Sequence, residues 1–205
     1  MSYYRTRGKR YLDLLLTVLT FMLLLPLLGV AALAVRLSSP GPVFFSQVRM
    51  GRGGQPFRTY KFRSMFVNDA DPRQMGHVGG SHELVTPVGR IIRRLKIDEL
   101  PQLWNVLRGE MSIVGPRPTL PEQAAEYTAE QKRRLEVLPG LTGWAQVNGN
   151  IELSWDERIR LDLFYVEHQS FWFDMKTIWL TLDVIVRGEH PRVEALRAAG
   201  ISRSS

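Results

Sequence analysis

The chain has 205 residues, with 27 Lys and Arg against 20 Asp and Glu, a net charge of +7 and an isoelectric point near 10.0. This length supports one substantial core rather than two, and the basic surplus points to phosphate-bearing partners: anionic lipid headgroups, nucleotides or nucleic acid. With no cysteine, disulfides, zinc–thiolate sites and a cysteine nucleophile are excluded, which is compatible with a reducing compartment.

Residues 14–35 read LLLTVLTFMLLLPLLGVAALAV, 22 positions without a charge. As one straight helix they reach about 33 Å, enough to cross a bilayer. Pro26 and Gly29 interrupt the run near its middle. A proline inside a helix removes a backbone hydrogen bond, so a kink or break is expected at Pro26. Arg5, Arg7, Lys9 and Arg10 precede the run; Arg36, Arg49, Arg52, Arg58, Lys61 and Arg63 follow it. Basic flanks favour the cytoplasmic side of a membrane. A straight span satisfies one flank, whereas a hairpin that dips in, bends at Pro26 and returns satisfies both. A cleaved signal peptide is a third reading, through Ala32-Leu33-Ala34, but the run is longer than the typical signal core of about 7–15 residues.

Residues 38–42 (SSPGP) carry turn chemistry and end this element. Residues 43–48 form a candidate strand, and 49–55 a glycine-rich basic loop. Residues 57–65 (FRTYKFRSM) alternate with a strand period, presenting either a solvated basic face or a phosphate-facing one. Residues 67–83 are polar and glycine-rich. Their Asp69, Asp71, His77 and His82 lack ligand spacing and read as a surface loop rather than a metal site. Residues 86–96 form a short basic helix with Ile91, Ile92 and Leu95 on one face, suited to an anionic membrane surface or to simple packing. A second amphipathic helix over 122–138 reads as scaffold. Residues 141–150 form a loop or short strand. Ser154 and Glu157 make a capping box for a helix over 155–168. Residues 171–186 form an apolar, aromatic helix whose Trp172 and Trp179 suit either a water–lipid boundary or a core. A frayed tail is expected after residue 190.

Between these helices stands Asp98-Glu99. Helix-start chemistry alone explains the pair: Asp98 is an acceptable N-cap, Glu99 an early-helix acid, Pro101 fits a first turn and Gly109 terminates. The helix dipole stabilises such acids by about 0.3–1 kcal/mol. Neighbouring residues of a helix point about 100° apart, so the two carboxylates do not share a face. The surroundings add a chemical reading. A carboxylate acting on a phosphoanhydride needs a divalent cation, cationic groups to hold phosphates and an accessible position. Arg93, Arg94 and Lys96 lie close by, Arg117 is fixed between Pro116 and Pro118 as a bidentate phosphate fork, and Lys61 and Arg63 on the candidate strand can join them. A helix N-terminus keeps a carboxylate charged, as a nucleophile or magnesium ligand must be. Magnesium takes one or two carboxylates plus phosphate oxygens and waters.

The interrupted apolar segment, YKFRSM (60–65), IDELPQLWNVLRGEMSIVGPRP (97–118) and PGLTGWAQVNG (139–149) occur in that order. Over residues 9–187 the chain resembles the bacterial sugar transferase family, the monotopic phosphoglycosyl transferases, in its minimal single-domain form. The resemblance implies a re-entrant membrane helix broken at Pro26 and an active site on the cytoplasmic face of a bacterial inner membrane. It implies transfer of a sugar 1-phosphate from a UDP-sugar to polyprenyl phosphate, giving a polyprenyl diphosphate sugar and UMP. Carried over, Asp98 matches a nucleophile that forms a covalent phosphosugar intermediate and contacts Mg2+. Glu99 matches its partner acid, Lys61 the lysine of YKF, Arg117 the arginine of the PRP turn, and Arg93 a basic residue near the membrane boundary; with Arg63 these four form the expected phosphate-binding set. Pro139, Gly140, Thr142, Gly143, Gln146 and Asn148 carry the nucleotide-binding expectation. Two departures stand out. Leu25-Pro26 replaces the common Ser-Pro, removing a hydroxyl that can satisfy backbone groups freed by the kink. Asn148-Gly149-Asn150-Ile151 stands where NGRN is frequent, removing one nucleotide or phosphate contact.

The expected fold is α+β and mainly helical: a membrane element over 1–40, a catalytic domain over 41–190 with a small β element and amphipathic interfacial helices, and a flexible tail over 191–205. The expected partners are a UDP-sugar, polyprenyl phosphate and membrane lipid, not nucleic acid, with a homodimer left open. The alternative of another class is a non-catalytic, membrane-anchored basic module binding phospholipid or nucleic acid, which leaves the acids amid the cationic surface unexplained. Direct transfer in a ternary complex, with Asp98 only a metal ligand, is the alternative mechanism.

Overall fold

The computed structural model describes residues 3–66 and 84–201. The expected loop over 67–83, with Asp69, Asp71, His77 and His82, lies outside them. A π-helical turn (Tyr4–Gly8) leads into α1 (Lys9–Ser38). Helical conformation continues on both sides of Pro26. The proline therefore does not end the helix, although it leaves the Met22 carbonyl without its usual donor; strong leucine helix propensity on either side sustains the element. Lys9, Asp13 and Thr17, spaced one turn apart, are buried near one end, and Ala31 and Val35 near the other. Between and opposite them Leu15, Leu19, Met22, Leu23, Leu33 and Leu37 are exposed.

Both ends of α1 are fastened to the rest of the protein. At the start, Lys9 pairs with Asp174, Asp13 accepts from Ser112 Oγ and Ile113 N at 3.0 Å, and Arg10 donates to the carbonyls of Val106 and Leu107. At the end, Ala31 and Val35 pack with Phe62 and Ile92, and Arg63 closes the C-terminus by donating to the Ser39 carbonyl at 2.7 Å.

Strands β1 (Phe44–Met50) and β2 (Pro56–Phe62) form an antiparallel hairpin with Phe45 opposite Lys61. Its turn uses Gly53 and Gly54 at positive φ. Helix α2 (Pro87–Arg94) starts at Thr86, whose hydroxyl accepts from Gly89 N at 2.8 Å. The expected shared face of this helix is divided. Ile92 is buried against Phe62 and α1, while Ile91 and Leu95 stay exposed, because successive helical positions diverge by about 100°. A 3₁₀ turn (Ile97–Gln102) follows, then α3 (Leu103–Arg108), which ends as expected at Gly109 in the left-handed conformation. β3 (Ser112–Val114) pairs in parallel with β4 (Gly140–Thr142).

The single helix expected over 122–138 is replaced by α4 (Pro121–Ala125) and α5 (Ala129–Lys132) with a short 3₁₀ turn after it. Thr128 breaks the run by capping α5 in a box with Gln131, so local side-chain bonding outcompetes the helical period. Then come α6 (Trp144–Val147), α7 (Trp155–His168), α8 (Phe171–Arg187) and α9 (Val193–Ala198). The capping box expected at Ser154 and Glu157 is formed. The main core gathers Val114, Trp144, Val147, Leu161, Tyr165 and Val184. Of the expected tail over 191–205, the described part carries α9, and Ala195, Leu196 and Ile201 belong to this core, with α9 set against α7. The fold is otherwise the mainly helical α+β arrangement expected, with its small β element and long apolar N-terminal helix.

Candidate active site

The site lies where the β1–β2 hairpin, the 3₁₀ turn, the PRP turn, the start of α7 and the end of α8 converge on an open cavity of about 1260 Å³. Lys96 adopts a left-handed conformation (φ 58) and reverses the chain between α2 and the 3₁₀ turn. Asp98 and Glu99 thus occupy the first turn of a 3₁₀ helix, with Asp98 inside it rather than at its cap. Successive residues there diverge by about 120°, and the two acids meet different surroundings.

Glu99 is saturated. Its Oε1 accepts from Lys61 Nζ and from Arg117 Nη2, each at 2.6 Å, and its Oε2 accepts from Arg117 Nη1 at 3.4 Å. Burial alone would raise its pKa, but Arg117 and Lys61 hold it well below the usual carboxylate range. Asp98 lines the cavity, is 9% exposed, and makes no side-chain hydrogen bond or ion pair among the described residues. Burial, then the neighbouring charge of Glu99, pushes its pKa up to about 6, against the opposing pull of Lys61, Arg93 and Arg117. Desolvation therefore works against the dipole of this short turn, and Asp98 is charged mainly above about pH 6.

All six residues expected at catalysis or phosphate binding line this cavity. Lys61 lies on β2, Arg117 on the turn after β3, and Arg93 donates through Nε to Ser64 Oγ at 2.7 Å. Arg63 reaches the cavity with its guanidinium already engaged. Its guanidinium turns to the end of α1, bonding the Pro40 and Ser39 carbonyls and Ser39 Oγ. Arg63 follows the last residue of β2, where the carbonyls at the end of α1 come within reach of its guanidinium.

The nucleotide-binding expectation divides more sharply. Gln146 lines the cavity, but Pro139, Gly140, Thr142, Gly143 and Asn148 do not. Their residue types answer packing. A Cβ on Gly140 would come within 2.1 Å of Gly115 N, and one on Gly143 within 2.2 Å of Gly115 O, so the glycines let two backbone segments touch. Thr142 Oγ1 pairs with Thr181 Oγ1 at 2.7 Å, and the fully buried Asn148 donates to the Trp144 carbonyl at 2.7 Å.

Other residues reach the cavity without having been marked. Arg49 bonds Gln47 Oε1 at 2.7 Å; burial, then the charge of Arg117, lowers its pKa to about 10. Buried Arg134 pairs with Asp162, bonds Tyr127 and donates to the Arg117 carbonyl at 3.2 Å, bracing the PRP turn from behind. Trp155 forms part of the wall beneath the guanidinium groups of Arg134 and Arg158. Glu189, just past α8, accepts from Lys96 Nζ at 2.7 Å and Asn150 Nδ2 at 2.8 Å. The one local signal was the charge of Arg49; the others arrive through long-range packing.

The arrangement is a cationic basin in which, of two adjacent carboxylates, Glu99 is neutralised and Asp98 is open. It suits binding of phosphates and attack by, or coordination through, Asp98. Comparison with known proteins identifies the family. The model of the family described as "Bacterial sugar transferase" matches residues 4–188. The "Uncharacterized sugar transferase EpsL" of Bacillus subtilis (strain 168) is 48% identical over 155 residues, covering 76% of this chain and 75% of that protein. The "Undecaprenyl-phosphate glucose phosphotransferase" of Komagataeibacter xylinus is 46% identical over 185 residues, covering 85% of this chain and 35% of that protein. The "UDP-glucose:undecaprenyl-phosphate glucose-1-phosphate transferase" of Escherichia coli (strain K12) is 44% identical over 183 residues, covering 85% and 39%. The chain thus spans little more than a third of the length of these last two relatives. Motif order, fold and these matches agree: the chain belongs to the bacterial sugar transferase family.

Proposed function

We propose that this protein transfers a sugar 1-phosphate from a UDP-sugar to polyprenyl phosphate at a membrane surface, releasing UMP. The observation that carries the reading is the pairing of an open, buried Asp98 with a Glu99 saturated by Lys61 and Arg117 inside a cationic cavity. Relatives named as UDP-glucose:undecaprenyl-phosphate glucose-1-phosphate transferases supply the substrate class.

In this mechanism an Asp98 carboxylate oxygen attacks the β-phosphorus of the UDP-sugar. The bond from that phosphorus to the bridging oxygen breaks, and UMP leaves with the electron pair. The sugar phosphate is then held as an acyl phosphate on Asp98. A phosphate oxygen of the polyprenyl acceptor attacks the same phosphorus, forms the diphosphate and frees Asp98. Arg117, Arg93 and Lys61 hold the phosphate oxygens as charge builds on them, while Lys61 and Arg117 keep Glu99 ionised. Among the described residues no cluster of three or more His, Asp or Glu could cage a metal. A single open carboxylate nevertheless fits Mg2+, which takes its remaining ligands from phosphate and water. Bound at Asp98, the ion would neutralise diphosphate charge.

Helix α1 supports a re-entrant membrane disposition. Its two ends are fastened to one body while its middle exposes leucines. A helix crossing to the far side of a bilayer would carry one end away from that body. Re-entry from the cytoplasmic face accounts for both attachments and for the basic flanks.

The test is UMP release from detergent-extracted protein given UDP-sugars, polyprenyl phosphate and Mg2+. A UDP-sugar labelled in its β-phosphate and supplied without acceptor should label the wild type and not Asp98→Asn. Release that always requires acceptor, with no protein labelling, would replace the covalent route by direct transfer. Absence of release with every common UDP-sugar would overturn the transferase reading.

A further inference from the structure

Lys61, Arg93 and Arg117 have obvious phosphate work in the cavity; the carboxylate of Glu189 does not. Glu189 follows the end of α8, where Gly188 (φ 90) turns the chain back toward the site. Its side chain lines the cavity that holds Asp98. Lys96 Nζ and Asn150 Nδ2 both donate to its Oε1, and its Oε2 is buried without a hydrogen-bond partner. Buried acceptors are normally bonded, so an unbonded one on a side chain that lines a cavity calls for a donor from outside the chain.

The groups that hold this carboxylate are themselves unusual. Lys96 (φ 58) and Asn150 (φ 42) are the non-glycine residues at positive φ among the described residues, and both end on the same oxygen. Side chains rarely accept that backbone region, and such strain persists where surroundings impose it, often at functional sites. One of the two lies two positions before Asp98. Glu189 is also close enough to Arg117 to help stabilise its positive charge, which puts it within range of the phosphate end of the basin.

Its chemistry excludes a phosphate contact, since an ionised carboxylate accepts hydrogen bonds and repels a diphosphate. A UDP-sugar does bring hydroxyl and amide donors. Building on the transferase reading above, we propose that Glu189 is a specificity-determining residue: its unbonded oxygen accepts a hydroxyl or amide N–H of the sugar, with Lys96 and Asn150 positioning it. The uridine also carries donors, so the test must separate sugar from nucleotide.

That test measures equilibrium binding of UDP-glucose, UDP-galactose, UDP-N-acetylglucosamine, UDP-N-acetylgalactosamine and UDP to the full chain. An Asp98→Asn background prevents turnover. Glu189→Gln keeps an acceptor for Lys96 but sets an amide where the unbonded oxygen was. It should weaken the best-bound UDP-sugar by about 10- to 100-fold, the range for a lost bond to a charged group, and compress the differences among the four sugars. UDP should bind as before or more tightly, because a negative charge has gone. Glu189→Asp, which withdraws the oxygen but keeps the charge, should show the same sugar-selective loss. Lys96→Met should do so in part, and Lys96→Arg should restore it. Equal weakening of UDP and UDP-sugars, or no weakening of either, would overturn the assignment. Wild-type UMP release is measured alongside. Tight UDP-sugar binding without release would sink the transferase reading while the binding ratio still decides Glu189; binding of none of the five compounds by the parent would sink both.

Discussion

Two aspartates of this chain are almost equally hidden and wholly unlike. Asp174 on α8 is 1% exposed and Asp98 is 9% exposed. Asp174 Oδ2 accepts from Lys9 Nζ and Tyr4 OH, and its Oδ1 from Tyr165 OH at 2.8 Å. Asp98 accepts from no side chain or backbone group among the described residues and opens on the cavity. Burying a carboxylate is unfavourable unless donors replace water. At Asp174 the protein supplies the donors, and the product is a joint between α1 and α8. At Asp98 it supplies only distant positive charge, and the product is a carboxylate whose missing partners must come from substrate. Glu99, saturated by Lys61 and Arg117, shows that adjacency to Asp98 does not decide the matter; the donors do.

The comparison is broken most severely at Asp98 itself. Asp98→Asn should lower UMP release by about 10³-fold or more, as removal of a nucleophile does, with an unchanged melting curve, since no intramolecular bond is lost. A large drop in melting temperature would show that Asp98 is a scaffold residue like Asp174. The converse substitution should separate the two in the other direction. Asp174→Ala leaves Lys9 buried without its counter-charge and should destabilise the fold by about 3–5 kcal/mol, read as a lowered midpoint in thermal or denaturant unfolding. Its UMP release per folded molecule, measured well below that midpoint, should persist. Loss of activity with full stability would reverse the roles assigned here.

What the sequence disclosed follows from the range of the interactions involved. IDELPQ and GPRP were legible because turn and cap chemistry is local, and because Arg117 is held by the prolines beside it. Strand β2, the capping box at Ser154 and the stop at Gly109 were legible for the same reason. Alternation placed Arg63 on the cavity side but could not report what else lies against it: the open end of α1 took its guanidinium. The glycines at 140 and 143 resembled ligand-binding glycines, yet their absent side chains serve the contact with Gly115. The break at Thr128 was written in the sequence as Thr-x-x-Gln, and the helical period of the flanking residues masked it. Glu189 was illegible because its partners, Lys96 and Asn150, are distant in sequence and meet only through the packing of α8 and the segment before α7.

Removing one cation tests how the open carboxylate is tuned. Arg117→Ala should reduce turnover by about 10²-fold, through the lost stabilisation of developing phosphate charge, leaving Lys61 alone on Glu99. The pH profile carries the finer information. Asp98 must be ionised to attack, and its pKa of about 6 arises because burial and Glu99 raise it further than Lys61, Arg93 and Arg117 lower it. Activity should therefore climb as pH rises through about 6 and level off above it. Taking away Arg117 removes a lowering influence, so the residual activity of Arg117→Ala should climb at higher pH than the wild type. Lys61→Met should move it the same way for the same reason. Glu99→Gln removes a raising influence and should move it toward lower pH. A common midpoint in all three variants would mean that the limb reports some other group. Opposite shifts on the two sides of the Lys61–Glu99–Arg117 cluster would identify it as the device that sets the charge of Asp98.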